Sequence, residues 1–190
     1  MAAPNQIAAR ITVGLAGAVH LVKLDVRGLD YFGDTTEDFW NSFLAAALVA
    51  PVFILYLVIR YVGIDDGGSF PVYLLAQMMS YAIAWLVFPL VMLHLAPVLQ
   101  REDKMVRYLV AYNWVSVLQN AVYLPIIILG ITGTFAQGIS NFLAMIALMW
   151  VLGLTLFVTR KALDIPFGTA AGIVVMDLLL GVLVEVLTGR

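Results

Sequence analysis

The chain has 190 residues, of which 63% are hydrophobic and only 12% are charged. Soluble domains are about half apolar and a quarter charged, so this composition indicates a membrane protein rather than a soluble domain. The lack of cysteine excludes disulfides, iron–sulfur clusters, thiolate zinc sites and a cysteine nucleophile, and a net charge of −2 without a basic patch argues against nucleic-acid binding.

Residues 1–36 are predicted to form a cytoplasmic arm with one helix. Arg10 followed by a short apolar stretch is compatible with a secretory signal. The alternative is an amphipathic helix at the membrane surface, with Arg10, Lys23 and Arg27 reaching lipid phosphates. We expect this interfacial helix, because apolar residues recur at helical spacing: Ile7, Ile11, Leu15, Ala18, Val19 and Val22.

The connection from Asp25 to Glu37 is acidic and rich in turn-forming residues. The segment Thr35-Thr36-Glu37-Asp38 is typical of a helix N-terminus, with a capping hydroxyl and acids favourably placed against the helix dipole. The acids Asp30, Asp34 and Asp38 lack the alternating ligand pattern of a calcium loop. We therefore predict no metal site here, and no cofactor in the chain.

Residues 37–190 are predicted to form a membrane domain of five transmembrane helices. Its apolar stretches cover about residues 39–62, 70–95, 106–130, 135–158 and 166–187. Each has roughly 22 to 26 residues, enough for a helix to cross a hydrocarbon layer of about 30 Å. Because the backbone must satisfy its own hydrogen bonds in lipid, the fold class is predicted to be an all-α membrane bundle.

The basic residues predict the orientation of the chain. Lys and Arg alternate between the connections: three lie in the arm, three between spans two and three, and two between spans four and five. The other side has only Arg60 and Arg190. The positive-inside rule therefore places the N-terminus in the cytoplasm and, with five spans, the C-terminus outside.

Polar residues inside the spans are the candidate site. Asp177 lies near the middle of the fifth span, where a carboxylate is costly and must face the bundle interior, be paired or be protonated. Polar residues of spans two and three are expected at neighbouring depths: Gln77, Ser80, Asn113, Ser116, Gln119 and Asn120. This polar cluster predicts either interhelical hydrogen bonding or a proton-linked site centred on Asp177. We favour hydrogen bonding, because no Lys, Arg or His lies at the same depth.

Small residues on the fifth span indicate close helix contact. Gly168 and Gly172 form a GxxxG motif, which allows two membrane helices to approach closely. No catalytic or nucleotide-binding motif such as G-x-S-x-G, H-E-x-x-H or a P-loop occurs, so we predict that the chain is not an enzyme.

The five-span plan, with the N-terminus inside and the C-terminus outside, resembles that of Yip1-domain membrane proteins. Locally, Asp30-Tyr31-Phe32-Gly33 followed by Phe39-Trp40 is similar to the aromatic segment before that family's first span, although the family's proline is missing and the order differs. The arm and Phe39-Trp40-Asn41-Ser42-Phe43 also resemble small alphaproteobacterial inner-membrane proteins. These resemblances imply a membrane-organising or partner-binding role.

The predicted function is therefore a non-enzymatic scaffold, assembly or partner-binding protein of a bacterial inner membrane. Its expected partners are membrane lipids and either a second copy of the chain or another membrane subunit. The alternative is a small proton-linked transporter or channel that uses Asp177, Gln119 and Asn120.

Overall fold

The computed structural model describes residues 4–63 and 68–187, and this part of the chain is all α-helical. Five segments of it are long and apolar enough to cross a membrane: Thr36–Val62, Phe70–Leu99, Glu102–Ile131, Gln137–Leu163 and Phe167–Leu187. The prediction of an all-α integral membrane bundle with five spans is confirmed. The elements are α1 (Pro4–Val22), a 3₁₀ turn (Val26–Tyr31), α2 (Thr36–Ser42), α3 (Leu44–Val62), α4 (Phe70–Leu99), α5 (Glu102–Ile131), α6 (Gln137–Leu163) and α7 (Phe167–Leu187).

The first span consists of two helices, where the sequence predicted one. Thr35 caps α2 as predicted, because its hydroxyl accepts from the Asp38 N–H at 3.1 Å and Asp38 bonds back to the Thr35 N–H at 3.3 Å. Phe43 separates α2 from α3. Next to this break, the buried Ser42 hydroxyl donates to the Phe39 carbonyl at 2.6 Å.

The helices α4, α5 and α6 extend beyond their predicted apolar stretches at one end of the bundle. We call it the arm end, because it carries residues 4–42 and the connections 99–102 and 163–167; the other is the far end. A side chain completes the backbone bonding at the end of α6. Arg101 donates to the carbonyls of Leu163 at 2.9 Å and Asp164 at 3.2 Å, which satisfies the last turn of α6. Lys104 lies 3.1 Å from Asp164 and holds the pKa of that carboxyl below its ordinary value.

Helix α5 is the central element of the bundle. It packs against α3, α4 and α6 and also receives α1 and α2 at the arm end. A large apolar core surrounds its first half, where Tyr108, Leu109 and Trp114 are buried. A smaller core at the far end joins α3 to Leu124. The helix therefore connects the arm to the membrane domain.

The arm helix α1 forms as predicted, and most of its predicted apolar face packs against the bundle: Ala18 is buried, and Ile11, Leu15 and Val22 lie against the core. Gly14, Gly17, Ala18 and Leu21 are buried, at the spacing of one helical face, whereas Val19 is exposed. A Cβ atom on Gly14 would overlap the indole of Trp114 on α5, so this glycine permits the close approach of the two helices. The close contact at Gly14 and the buried side chain of Leu21 therefore both dock the arm. Its position at the membrane surface stays a prediction.

Asp25 holds the chain reversal that follows α1. Its carboxylate accepts from the Arg27 guanidinium at 2.8 Å and from the Arg27 backbone N–H at 3.1 Å, and it lies 2.9 Å from Nδ1 of His20. The Arg27 side chain, followed by His20, holds the pKa of Asp25 well below its ordinary value. The carboxylate is therefore charged at neutral pH and can accept all of these bonds at once.

Replacing Gly14 with valine should release α1 from α5, because the added side chain has no room beside the buried Trp114. Overpacking of this kind typically costs about 1 to 3 kcal/mol. The chain has no cysteine, so a single Leu21→Cys substitution reports the exposure of a fully buried arm position. We expect maleimide to label Leu21→Cys faster when Gly14→Val is present.

The matched control is Gly153→Val on α6, where a Cβ atom would meet nothing within 4 Å. Equal labelling rates with Gly14→Val and Gly153→Val would contradict the docking of the arm through Gly14.

Candidate functional site

Asp177 is held by Tyr112 on the inner face of α7. The Tyr112 hydroxyl lies 3.0 Å from each carboxylate oxygen and donates to them, which joins α7 to α5. The Tyr112 ring stacks on Phe88 of α4 with centroids 4.5 Å apart, so the donor is fixed by packing. In the described part of the chain, no Lys, Arg or His forms an ion pair with Asp177. The acid thus has a hydrogen-bonding partner, as expected for a costly group at this depth.

Two other predicted residues form hydrogen bonds between helices. The fully buried Asn113 donates to the Ser42 hydroxyl at 2.7 Å, joining α5 to α2. Gln119 donates to the Thr155 hydroxyl at 3.0 Å and to the Val151 carbonyl at 3.2 Å, joining α5 to α6. These contacts tie the central helix to neighbours on two different sides.

The remaining predicted side chains on α4 and α5 behave differently. Ser80, Ser116 and Asn120 each donate to the carbonyl four residues earlier in their own helix, at 2.9, 2.8 and 2.8 Å respectively. Such local bonds satisfy a polar group in an apolar environment without joining helices. Gln77 is buried on α4, and its Oε1 has no hydrogen-bond partner within residues 4–63 and 68–187.

The predicted polar residues therefore face inward, but they do not form one connected cluster. Among the described residues, no hydrogen bond joins the side chains of two of the seven, and the Asn120 side chain reaches only the backbone carbonyl of Ser116. Asn113 bonds to α2 and Gln119 bonds to α6. Successive residues on a helix turn by about 100°, so two polar residues of one span leave it on different faces unless they are three or four positions apart.

Gly168 and Gly172 lie on the outward face of α7. A Cβ atom on either residue would meet nothing within 4 Å, so neither glycine serves packing within this chain. The inner face of α7 instead carries Ala170, Ile173 and Val174, which are buried. The GxxxG motif thus presents a smooth surface to whatever surrounds the bundle, and its use as a helix interface stays a prediction.

A cavity of about 540 Å³ lies between α3, α4, α5 and α7, from the middle of the bundle towards the far end. We call it the tyrosine cavity. Its polar lining includes Ser116, Asn120 and Glu185. Its aromatic lining consists of Phe53, Tyr56, Tyr81, Trp85, Tyr112 and Tyr123.

The aromatic walls of this cavity are packed against one another. Phe53 stacks on Tyr81 with centroids 4.6 Å apart, and Tyr81 lies 6.0 Å from Trp85. The Tyr81 hydroxyl donates to the Ala46 carbonyl of α3 at 2.6 Å. These contacts fix the rings of α3 and α4 beside the open space. The volume of that space is typical of small-molecule sites.

Sequence reasoning did not single out Tyr112 as the partner of Asp177, nor the aromatic lining as a site. A signal was present: Tyr112, Ser116 and Asn120 recur every four residues, which places them on one face of α5. The approach of α3 and α4 to this face had no sequence signal.

Within residues 4–63 and 68–187, no three His, Cys, Asp or Glu side chains come together in a way that would hold a metal ion. The predictions of no metal and no cofactor thus stay predictions, as does the prediction that the chain is not an enzyme.

Comparison of the chain with protein-family models, with curated proteins and with solved structures gives no match. The resemblance to Yip1-domain proteins therefore stays a hypothesis that depends on the residues quoted above.

Replacing Tyr112 with phenylalanine should destabilise the contact between α5 and α7, because Asp177 then loses its hydroxyl donor. We expect a loss of about 1 to 2 kcal/mol in the free energy of unfolding in detergent. Tyr123→Phe is the matched control, since no hydrogen bond from its hydroxyl is found among the described residues. Equal stability of the two variants would show that the bond to Asp177 contributes nothing measurable.

Proposed function

We propose that this protein is a non-enzymatic scaffold, assembly or partner-binding protein of a bacterial inner membrane. Three features support the proposal. The bundle is organised around α5, the arm is docked against the bundle, and the outward face of α7 carries the GxxxG motif. The proposed partners are a second copy of the chain or another membrane subunit, together with the surrounding lipids.

The observation that carries the proposal is that inward polar groups form hydrogen bonds between helices. Asn113, Gln119 and Asp177 each bond to a different neighbour, and these bonds hold the bundle together. A proton pathway needs polar groups that follow one another from end to end, and the described residues lack such a chain of bonds. This favours a structural role for Asp177 over a relay.

The orientation is part of the proposal. Eight of the ten Lys and Arg residues lie in the arm, in the connection 99–102 or in the turns of α5 and α6 at the arm end. Several of them bond there, including Arg107 with Asp34 at 2.9 Å and Arg10 with Glu37 at 2.5 Å. By the positive-inside rule the arm end faces the cytoplasm.

Reporter fusions test this orientation. Green fluorescent protein fused before the arm should fluoresce, because it folds in the cytoplasm, and alkaline phosphatase fused after residue 190 should be active, because it needs the outer compartment. Phosphatase fused within the connection 131–137 is a second outer site, and one within 163–167 is the inactive control. An inactive C-terminal phosphatase with an active fusion in 163–167 would reverse the assignment.

Cysteine crosslinking tests the partner-binding role. A single Gly172→Cys substitution places a thiol on the outward face of α7, and Leu75→Cys on α4 is a matched outward control. We expect oxidation in native membranes to give a crosslinked dimer from Gly172→Cys and much less from Leu75→Cys. A thiol-reactive crosslinker with an amine-reactive second end detects a different subunit at the same position.

A product at Gly172 that is lost when Gly168 is also replaced by isoleucine would locate the interface at the GxxxG motif, since a larger side chain prevents close approach. No product at Gly172 above that at Leu75, with either reagent, would contradict the helix contact.

A further inference from the structure

The tyrosine cavity has a chemical character that a scaffold does not require. Four of its lining side chains direct hydrogen-bond donors into the protein. The Ser116 hydroxyl donates to the Tyr112 carbonyl at 2.8 Å, and the Asn120 amide donates to the Ser116 carbonyl at 2.8 Å. The hydroxyls of Tyr81 and Tyr112 donate to the Ala46 carbonyl and to Asp177. What these groups still offer to the cavity is mostly acceptor oxygen.

The aromatic faces add to this negative character. The face of an aromatic ring carries partial negative charge and attracts a cation within about 6 Å of its centroid, most strongly for tryptophan. Three helices contribute rings to the lining: α3, α4 and α5. A cation in the cavity would therefore have aromatic rings from three helices beside it.

The charged side chain in the described lining of the cavity is acidic. Glu185 lines it, and Asp177 lies directly behind Tyr112. Among the described lining residues there is no Lys, Arg or His. Among the described residues, Arg60 is a neighbouring cation: it lies one turn beyond Tyr56, nearer the far end, and donates to the Tyr56 hydroxyl at 3.2 Å. It is not part of the lining.

We propose that the tyrosine cavity binds an organic cation with an apolar body, of the quaternary ammonium or phosphonium type. Such a cation has no N–H donors to satisfy and is weakly hydrated, so ring faces and acceptor oxygens suit it. The volume of about 540 Å³ lies within the range of small-molecule sites. The site is independent of any contact of α7 with a partner.

Two sources supply this chemistry: a free organic cation and the ammonium headgroup of a membrane lipid. Both place a positively charged onium group against the rings. The experiment therefore varies the lipid as well as the ligand.

Binding of tetraphenylphosphonium to the full chain in lipid nanodiscs tests the proposal, with empty nanodiscs as background. Tetraphenylborate has the same shape and the opposite charge, and it is titrated separately. We expect binding of the phosphonium above background and none of the borate. Tyr123→Leu and Glu185→Gln should each weaken phosphonium binding by about tenfold, through loss of a ring face and of a negative charge.

Conservative and distant variants separate binding from folding. Tyr123→Phe keeps the ring face and should retain most of the affinity, whereas Tyr123→Leu should not. Glu102→Gln removes an exposed acid at the arm end and should leave binding unchanged. Phosphonium binding that is absent, that is matched by the borate, or that is unaffected by both Tyr123→Leu and Glu185→Gln would overturn the proposal.

A second comparison varies the lipid. It uses nanodiscs of equal phosphatidylglycerol content, completed with either phosphatidylcholine or a neutral galactolipid. Equal affinities in the two membranes assign the cavity to a free cation. Weaker binding in phosphatidylcholine shows that the lipid ammonium competes for the same rings. Either result supports a cation site and identifies its source.

Discussion

A peptide group placed in hydrocarbon finds no water to bond with, and each unsatisfied N–H or carbonyl there costs several kcal/mol. The five apolar stretches of this chain satisfy that constraint as helices, and the remaining features follow from how those helices meet. Their ends lie where charged side chains complete the backbone bonding. Arg101 shows this at the arm end, since it accounts for carbonyls at the terminus of α6 that the helix itself leaves open.

Close packing at the arm end depends on the smallest side chains. Gly14 lets α1 lie against Trp114, and the buried Trp114 in turn belongs to the core that α5 shares with its neighbours. In lipid, association of helices relies on van der Waals contact and hydrogen bonds rather than on removal of apolar surface from water. A glycine opposite a large ring gives such contact. The same reasoning explains why the outward glycines of α7 stand out, because nothing in the described chain fills the space beside them.

The inward polar groups divide into two kinds with different consequences. Asn113 and Gln119 give their donors to other helices, and such bonds are expected to contribute around 1 kcal/mol each to the bundle. Ser116 and Asn120 return their donors to their own helix and border an open space. The first kind holds the fold together. The second kind, with the surrounding rings, leaves a cavity whose surface is rich in acceptors.

Much of the architecture was predictable from the sequence alone. The number of spans, their helical state and the Thr35 cap depend on local properties, namely the length of an apolar run and the types of residue at its ends. The inward direction of Asn113, Gln119 and Asp177 was also predictable, because a polar group is costly when it faces lipid. The partners of those groups were not, since Tyr112 lies 65 residues from Asp177 along the chain.

The sequence by itself thus determined that the chain crosses the membrane as five helices and which side chains must turn inward, because these outcomes depend on the transfer of each residue between water and lipid. Only the tertiary structure decided that α1 docks through Gly14, that the break at Phe43 divides the first span, and that rings from α3, α4 and α5 line one cavity. Those outcomes depend on the rotation and spacing of whole helices relative to one another. Many weak contacts set that arrangement jointly, and no single segment of sequence specifies it.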